Sequence, residues 1–231
     1  MDEVLRQEKK YLITLPDARQ LSRRLSEVMR PDQHNGNGGY WIRSLYFDTL
    51  DDDDFWDKAD GTELRRKIRL RCYDPTADFA MLEMKQKEGA YQKKRSLRLS
   101  REDAARLARG DYAPLLAREE PFAQECYGLM RHRCYRPRAV VEYTRQAYIA
   151  KENRIRVTID SRIVATEACF DLFSPKLLQC PVLDPFHAVL EVKFNGFLLS
   201  YVKQLAGTAD RSEYSVSKYC MARGAGLYDQ L

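Results

Sequence analysis

Long apolar runs are missing from this 231-residue chain. Nothing approaches the roughly 18 to 20 residues that a helix needs to cross a bilayer, and the opening Met1 to Lys10 is charged where a secretory leader would be apolar. The sequence therefore reads as cytosolic. Histidine is scarce: His34, His132 and His187 are all there is, and none stands at ligand spacing from a cysteine. That argues against a zinc site and against a His-based triad. The cysteines Cys72, Cys126, Cys134, Cys169, Cys180 and Cys220 lie far apart with no CxxC pair. A chain of this length needs no covalent staples, so reduced thiols are expected. Internal repeats and low-complexity linkers are also missing, and a single domain over residues 1–231 accounts for the length.

Charge of both signs is plentiful. Charged residues make up 32% of the chain, against about 25% in an ordinary globular protein, while 44% hydrophobic residues suffice for a core. The net charge of +5, from 39 basic and 34 acidic residues, is too small to imply an anionic partner by itself. The informative matter is where the cations sit.

Pro16 to Arg30 has helical apolar spacing at Leu21, Leu25, Val28 and Met29 and stops before Pro31, predicting an amphipathic surface helix. A glycine and asparagine turn cluster follows at Gln33 to Gly39, then a strand over Tyr40 to Asp48. The acidic run Asp51 to Asp54 reads as a solvated turn or the start of a short helix. In Glu63 to Tyr73 (ELRRKIRLRCY), Lys67, Arg69 and Arg71 alternate with Ile68, Leu70 and Cys72, which places the cations on one strand face. Met81 to Lys87 repeats the scheme with Glu83, Lys85 and Lys87. After a turn at Gly89 and Ala90, the basic strand Tyr91 to Leu99 completes a hairpin.

Ser100 to Asp103 resembles a capping box opening a helix that ends at Gly110, and a second helix is predicted from Pro121 to His132. Ala139 to Ile149 reads as a strand, as do Arg154 to Asp160, with Arg154, Arg156, Thr158 and Asp160 on one face, and Ala188 to Phe194, with Glu191 and Lys193 on one face. Two short helices are expected in the tail, over Leu198 to Ala206 and Ser215 to Arg223.

Several strands thus carry an ionic face and an apolar face. A wet sheet face with cross-strand Glu and Lys pairs is one account. Against it, Lys67, Arg69, Arg71, Lys85, Lys87, Lys93, Arg95, Arg145, Arg154, Arg156 and Lys193 outnumber Glu83, Asp160 and Glu191 on those faces. Opposed like charges destabilise a sheet, so a polyanion among them is the better account, with helices over the apolar faces. Arginine offers phosphate a bidentate fork and lysine a compact charge. Glu83 and Glu191 could hold Mn2+ or Mg2+, which bind through one or two carboxylates plus substrate phosphates, although a Glu two residues from a Lys on a strand is more often an ion pair. The cations alternate with aliphatic rather than aromatic residues, which argues against nucleic acid as partner.

The ordered series RQEKKY (Arg6 to Tyr11), SLYFD (Ser44 to Asp48), KIRLRCY (Lys67 to Tyr73), LEMK (Leu82 to Lys85), Lys93 to Arg95, VEYTRQAY (Val141 to Tyr148), RVTID (Arg156 to Asp160), LEVK (Leu190 to Lys193) and SKY (Ser217 to Tyr219) spans nearly the whole chain. It resembles the VTC domain, the polyphosphate polymerase branch of the CYTH-like triphosphate tunnel metalloenzymes. The resemblance implies an α+β fold: a closed, eight-stranded antiparallel β-barrel tunnel with helices packed outside. It implies that ATP, triphosphate or polyphosphate is bound there with a divalent metal. Lys67, Arg69, Arg71, Lys85, Arg145 and Lys193 would be catalytic. Lys10, Lys93, Arg95, Tyr143, Arg156 and Lys218 would bind phosphate, with Lys94 the alternative inward residue at the third strand, and Glu191 would hold the metal.

The hydrolytic members of that superfamily begin with an ExExK pattern, and the corresponding residues here are Arg6, Glu8 and Lys10. One acid is lost, which favours transfer over hydrolysis. The expected activity is transfer of the terminal phosphate of ATP to a growing polyphosphate chain. A metal-dependent triphosphatase and a non-catalytic polyphosphate or inositol-polyphosphate binding module, working with a membrane-protein partner, are the alternatives.

Overall fold

The computed structural model describes residues 6–89, 91–196, 200 and 217–228. Its long strands are β1 (Arg6–Thr14), β3 (Tyr40–Asp48), β4 (Leu64–Cys72), β5 (Phe79–Glu88), β6 (Tyr91–Ser100), β7 (Arg136–Ile149), β8 (Arg156–Thr166) and β10 (His187–Asn195), with two-residue strands β2 (Arg30–Pro31) and β9 (Cys180–Pro181). The described helices are α1 (Leu15–Val28), α2 (Asp53–Ala59), α3 (Arg101–Ala108), α4 (Ala113–Leu116), α5 (Pro121–His132) and α6 (Lys218–Tyr228). The fold is α+β with a ten-stranded sheet in the order β1-β10-β8-β7-β3-β4-β5-β6, β2 pairing with β7 and β9 with β8. Among the described residues the pairings end at β1 and at β6 and do not close on themselves, so the closed barrel expected from the sequence is not among them. The terminal strand β6 carries Lys93, Lys94, Arg95 and Arg98, and charged side chains of this kind blunt a sheet edge. Among the described residues, no helix is long and apolar enough to cross a membrane.

Contacts divide the chain into two compact units. The first is Met1–Trp41, Tyr143–Val164 and Pro181–Ser217; the second is Ile42–Glu142, Ala165–Cys180 and Lys218–Leu231. In the first unit α1 starts where Thr14 Oγ1 accepts from the backbone N–H of Asp17 at 3.3 Å and where Pro16 presets the helical backbone. Its residues Ala18, Leu21 and Leu25, with Met29 just beyond, cover Ile13, Val157, Ile159, Leu190, Val192 and Phe194. Those are the apolar faces of β1, β8 and β10, and their alternation leaves the charged residues on the opposite face. Truncating Leu25 to Ala in this cluster would cost about 2–5 kcal/mol. Gly39 is required here: at φ +98° a Cβ would sit 2.5 Å from the carbonyl oxygen of Arg145. The chain enters β3 tight against the strand that carries Arg145.

The second unit repeats the principle. Ile68, Leu70, Leu82, Met84 and Leu99 are buried, and α3 packs against β5 and β6 while α5 packs against β6. Ser100 Oγ accepts from the Asp103 N–H at 3.1 Å, as the cap signal required. The acidic run is the entry to α2, and Asp48 caps it: Oδ1 accepts from Asp54 N–H at 2.9 Å and Oδ2 from Phe55 N–H at 3.0 Å. Cys72, Cys126, Cys134, Cys169 and Cys180 are free thiols, the first two buried.

Two expectations need correction or limitation. Arg154 does not begin a strand, because Asn153 and Arg154 take left-handed backbone angles (φ 50° and 47°) in a 3-10 turn over Glu152–Arg154. The tail helix expected over Leu198 to Ala206 lies outside the described residues, whereas the second is α6.

Candidate functional site

In the second unit, register fixes which residues share the polar face, because directly opposed residues of an antiparallel pair point the same way. Lys67 of β4 stands opposite Lys85 of β5, and Lys85 opposite Lys94 of β6. This is a row of three lysines across three strands. The next row runs Tyr46, Arg69, Glu83, Ser96, and the one after it Ser44, Arg71, Met81, Arg98. Arg69 donates from Nε and Nη2 to Glu83 Oε2 at 2.7 Å, and from Nη1 to the Tyr46 hydroxyl at 3.1 Å. Arg71 donates from Nε to Ser44 Oγ at 3.2 Å and approaches Glu83 at 3.7 Å. The Lys94 ammonium pairs with Glu83 Oε1. Burial opposes charge on Glu83, and the fields of Arg69 and Arg71 with the Lys94 hydrogen bond overcome it, holding the carboxyl at about 2. Burial also opposes ionisation of Tyr46, yet Arg69, Arg71 and Lys67 outweigh it and lower the phenol to about 8.

In the first unit a second polar face is built on β1, β10, β8 and β7. Glu8 of β1 stands opposite Lys193 of β10, and Lys10 opposite Glu191; Lys193 is in turn opposite Arg156 of β8 and Glu191 opposite Thr158. The lysines and glutamates form an alternating ring: Lys10 Nζ lies 2.7 Å from Glu8 and 3.9 Å from Glu191, and Lys193 Nζ lies 3.7 Å from Glu8 and pairs closely with Glu191. Beside it Arg145 grips Asp160 with a fork, Nε to Oδ1 and Nη2 to Oδ2, each 2.7 Å. Burial disfavours the Arg145 charge, but Asp160 overrides this and raises its pKa well above the ordinary value. The Arg145 guanidinium also lies 5.4 Å from the Tyr143 ring centre. Arg156 donates to Asp32 at 3.0 Å and to the Tyr40 hydroxyl at 3.1 Å.

Among the described residues, no three of His, Cys, Asp and Glu come together as a metal cage. A hard divalent ion completed by phosphates needs fewer protein ligands. Glu8 and Glu191, two carboxylates gathered by the same two ammonium groups, are the acids of this face that would hold such an ion. Glu83, named with Glu191 as a metal ligand from the sequence, pairs with Arg69, Arg71 and Lys94.

The VTC domain family model matches residues 5–225. The chain belongs to the VTC domain family. No curated relative matches the sequence. Among solved structures, a Bacillus halodurans protein that carries a provisional adenylate cyclase name aligns at 13% identity and TM-score 0.49, over 91% of this chain and 96% of that one. A protein of Pyrococcus horikoshii aligns at 10% identity and TM-score 0.47, over 97% and 100%.

Within this VTC domain the sequence-derived residues fall into two groups. Lys10, Tyr143, Arg145, Arg156, Glu191 and Lys193 share the polar face of the first unit, while Lys67, Arg69, Arg71, Glu83 and Lys85 share that of the second. Lys218 is the first residue of α6, in the second unit. Lys93 and Arg95 are displaced from their expected place. They stand opposite Gln86 and Met84, on the other face of β5 and β6, where Arg95 donates to Glu125 of α5 at 2.6 Å and lies 4.9 Å from the Phe122 ring. Lys94, the alternative, stands opposite Lys85 on the polar face. Ser44, Tyr46 and Asp160 are not among the site residues singled out from the sequence; for Asp160 the signal is its phase within RVTID, whereas Ser44 and Tyr46 lie in a strand buried on both faces.

Proposed function

We propose that this VTC domain is a polyphosphate polymerase of the triphosphate tunnel type, transferring the terminal phosphoryl group of ATP to the end of a polyphosphate chain. The observation that carries this reading is the Lys67, Lys85, Lys94 row beside Arg69 and Arg71. Three ammonium groups in one cross-strand register concentrate positive charge along a line, and a chain of phosphates offers it a matching run of anionic oxygens. In the transfer, an oxygen of the chain attacks the γ-phosphorus, the bond between that phosphorus and the β–γ bridging oxygen breaks, and ADP leaves with the negative charge. Such a reaction needs positioning and charge neutralisation and little covalent help. The arginines supply donors in forks and the lysines supply point charges.

The first unit's own polar face carries Lys10, Lys193 and Arg145. A bound Mn2+ or Mg2+ would neutralise charge on the phosphate oxygens, and Glu191 with Glu8 are the residues that would hold it. The single acid Glu8 where the hydrolytic pattern has two supports transfer to phosphate over transfer to water. ATP as donor sets the reaction in the cytoplasm.

The test is to incubate the purified chain with ATP and Mn2+ or Mg2+, resolving polyphosphate on a gel and measuring orthophosphate alongside. Lengthening chains that vanish in Arg69→Ala and Glu191→Gln are expected. Orthophosphate without chains would replace the polymerase by a triphosphatase. Neither product, with inorganic triphosphate still bound, would leave a binding module.

A further inference from the structure

SLYFD and the tyrosine of SKY have no part in the chemistry above, yet the structure brings them together in the second unit. Ser44, Tyr46 and Asp48 alternate onto one face of β3, and each is almost completely buried. Each also meets a different partner. Ser44 Oγ accepts from Arg71 at 3.2 Å, the Tyr46 hydroxyl accepts from Arg69 at 3.1 Å, and Asp48 Oδ2 accepts from the Tyr219 hydroxyl of α6 at 2.6 Å. The Tyr219 ring stacks on the Tyr46 ring with centroids 5.2 Å apart and planes inclined by 23°. Phe55 closes the other side, edge-on to Tyr219 at 6.4 Å.

Tyr46 therefore cannot swing its hydroxyl away from Arg69 without breaking the stack, and Tyr219 cannot leave without abandoning a buried carboxylate. Each arginine is bound at two points: Arg69 by Tyr46 and Glu83, Arg71 by Ser44 and Glu83. A long guanidinium side chain loses rotamer freedom on binding an anion, and a side chain already fixed has less to lose. If the aromatic pair were only core filling, its hydroxyls would not both be engaged with charged groups.

We propose that Ser44, Tyr46 and Asp48 of β3, locked by Tyr219 of α6, form a positioning rail that fixes Arg69 and Arg71 for a phosphate chain. The proposal rests on the anion-binding role given to the two arginines. It links the seating of α6 to the geometry of the site, and the same anchor sets Lys218 in the first turn of that helix.

The test uses the full chain, inorganic triphosphate as the calorimetric probe, and double-mutant cycles, which isolate coupling between residues. Loss of one hydrogen bond to a binding group predicts that Tyr46→Phe weakens triphosphate binding about fivefold. In an Arg69→Ala chain the same change should do less than twofold, and in an Arg71→Ala chain it should again be about fivefold. Ser44→Ala should show the mirror pattern. Equal losses in all backgrounds would overturn the rail, since a generally loosened fold acts alike everywhere.

A second measurement needs no ligand: the side-chain Nε–H signals of arginine in 15N NMR. Tyr46→Phe and Tyr219→Phe should broaden the Arg69 signal and spare Arg71, whereas an unchanged Arg69 signal sinks the proposal. If the unmodified chain fails to bind triphosphate, the proposed function falls, and the NMR comparison still decides the rail.

Discussion

Replacing Glu83 by Gln tests the electrostatics of the second unit most directly. The side chain is 5% exposed and its carboxylate meets Arg69, Arg71 and Lys94. Two routes give the size of the effect. Lowering the carboxyl from 4.5 to about 2 corresponds to about 3 kcal/mol in favour of the charged form. Removing one member of a buried ion pair typically costs about 3–5 kcal/mol, because the remaining charges stay buried without compensation. For a chain of this size that corresponds to a drop in Tm of roughly 6–12 °C. The sign with pH follows from the depressed carboxyl. Its contribution is fully present above the unfolded value of 4.5 and disappears as pH falls to about 2. Urea denaturation of both chains between pH 7 and pH 2.5 should show a gap of about 3 kcal/mol at neutral pH that narrows steadily below pH 4.5. A gap that stays constant across that range, or no gap at pH 7, would show that Glu83 is not held ionised by the cations and would remove the electrostatic argument built on that face.

Four further outcomes follow. Triphosphate affinity should fall severalfold as pH rises past about 8, where Tyr46 becomes a phenolate against Arg69, Arg71 and Lys67; Tyr46→Phe is the needed control because triphosphate itself titrates there, and an identical profile in that variant would refute the assignment. Asp160→Asn strands the buried Arg145 cation and should cost about 3–5 kcal/mol, measured by urea denaturation. Asp54, whose carboxyl burial and the neighbouring Asp48 raise to about 8, weakens the fold progressively as pH rises from about 4 to 8; Asp54→Asn should therefore gain stability relative to the unmodified chain over that range. Finally, Lys85→Gln should lower triphosphate affinity more than Lys193→Gln, compared by calorimetry at fixed salt.

Alternation made the polar faces legible wherever it was unambiguous. In KIRLRC every second residue is apolar and buried, so Lys67, Arg69 and Arg71 could point only one way. In YQKKRSLRL the consecutive cations Lys93, Lys94 and Arg95 satisfy both phases, and pattern cannot choose; cross-strand register to β5 does. The start of β8 was misjudged because the left-handed angles at Asn153 and Arg154 leave no trace in an alternating run. Tyr40 to Asp48 reads as a strand, but both of its faces are buried, so hydropathy could not mark Ser44, Tyr46 and Asp48 as a polar set. Arg43, on the opposite face, was invisible as well: its partners Glu142, Leu172 and Ser174 are about a hundred residues or more away in the chain.

Counting cations on strand faces therefore points to a candidate anion site without saying where its affinity would arise. On the first unit's face the cations already hold internal acids: Lys10 and Lys193 hold Glu8 and Glu191, and Arg145 holds Asp160. A phosphate arriving there must share or displace those contacts, so much of the attraction is spent on exchange. On the second unit's face Lys67, Lys85 and Lys94 form one cross-strand row, and Arg69 and Arg71 stand in the two rows beyond it. A phosphate arriving there must likewise share or displace contacts with Glu83. Cation count alone therefore does not rank the two faces as anion sites; the comparison of Lys85→Gln with Lys193→Gln does.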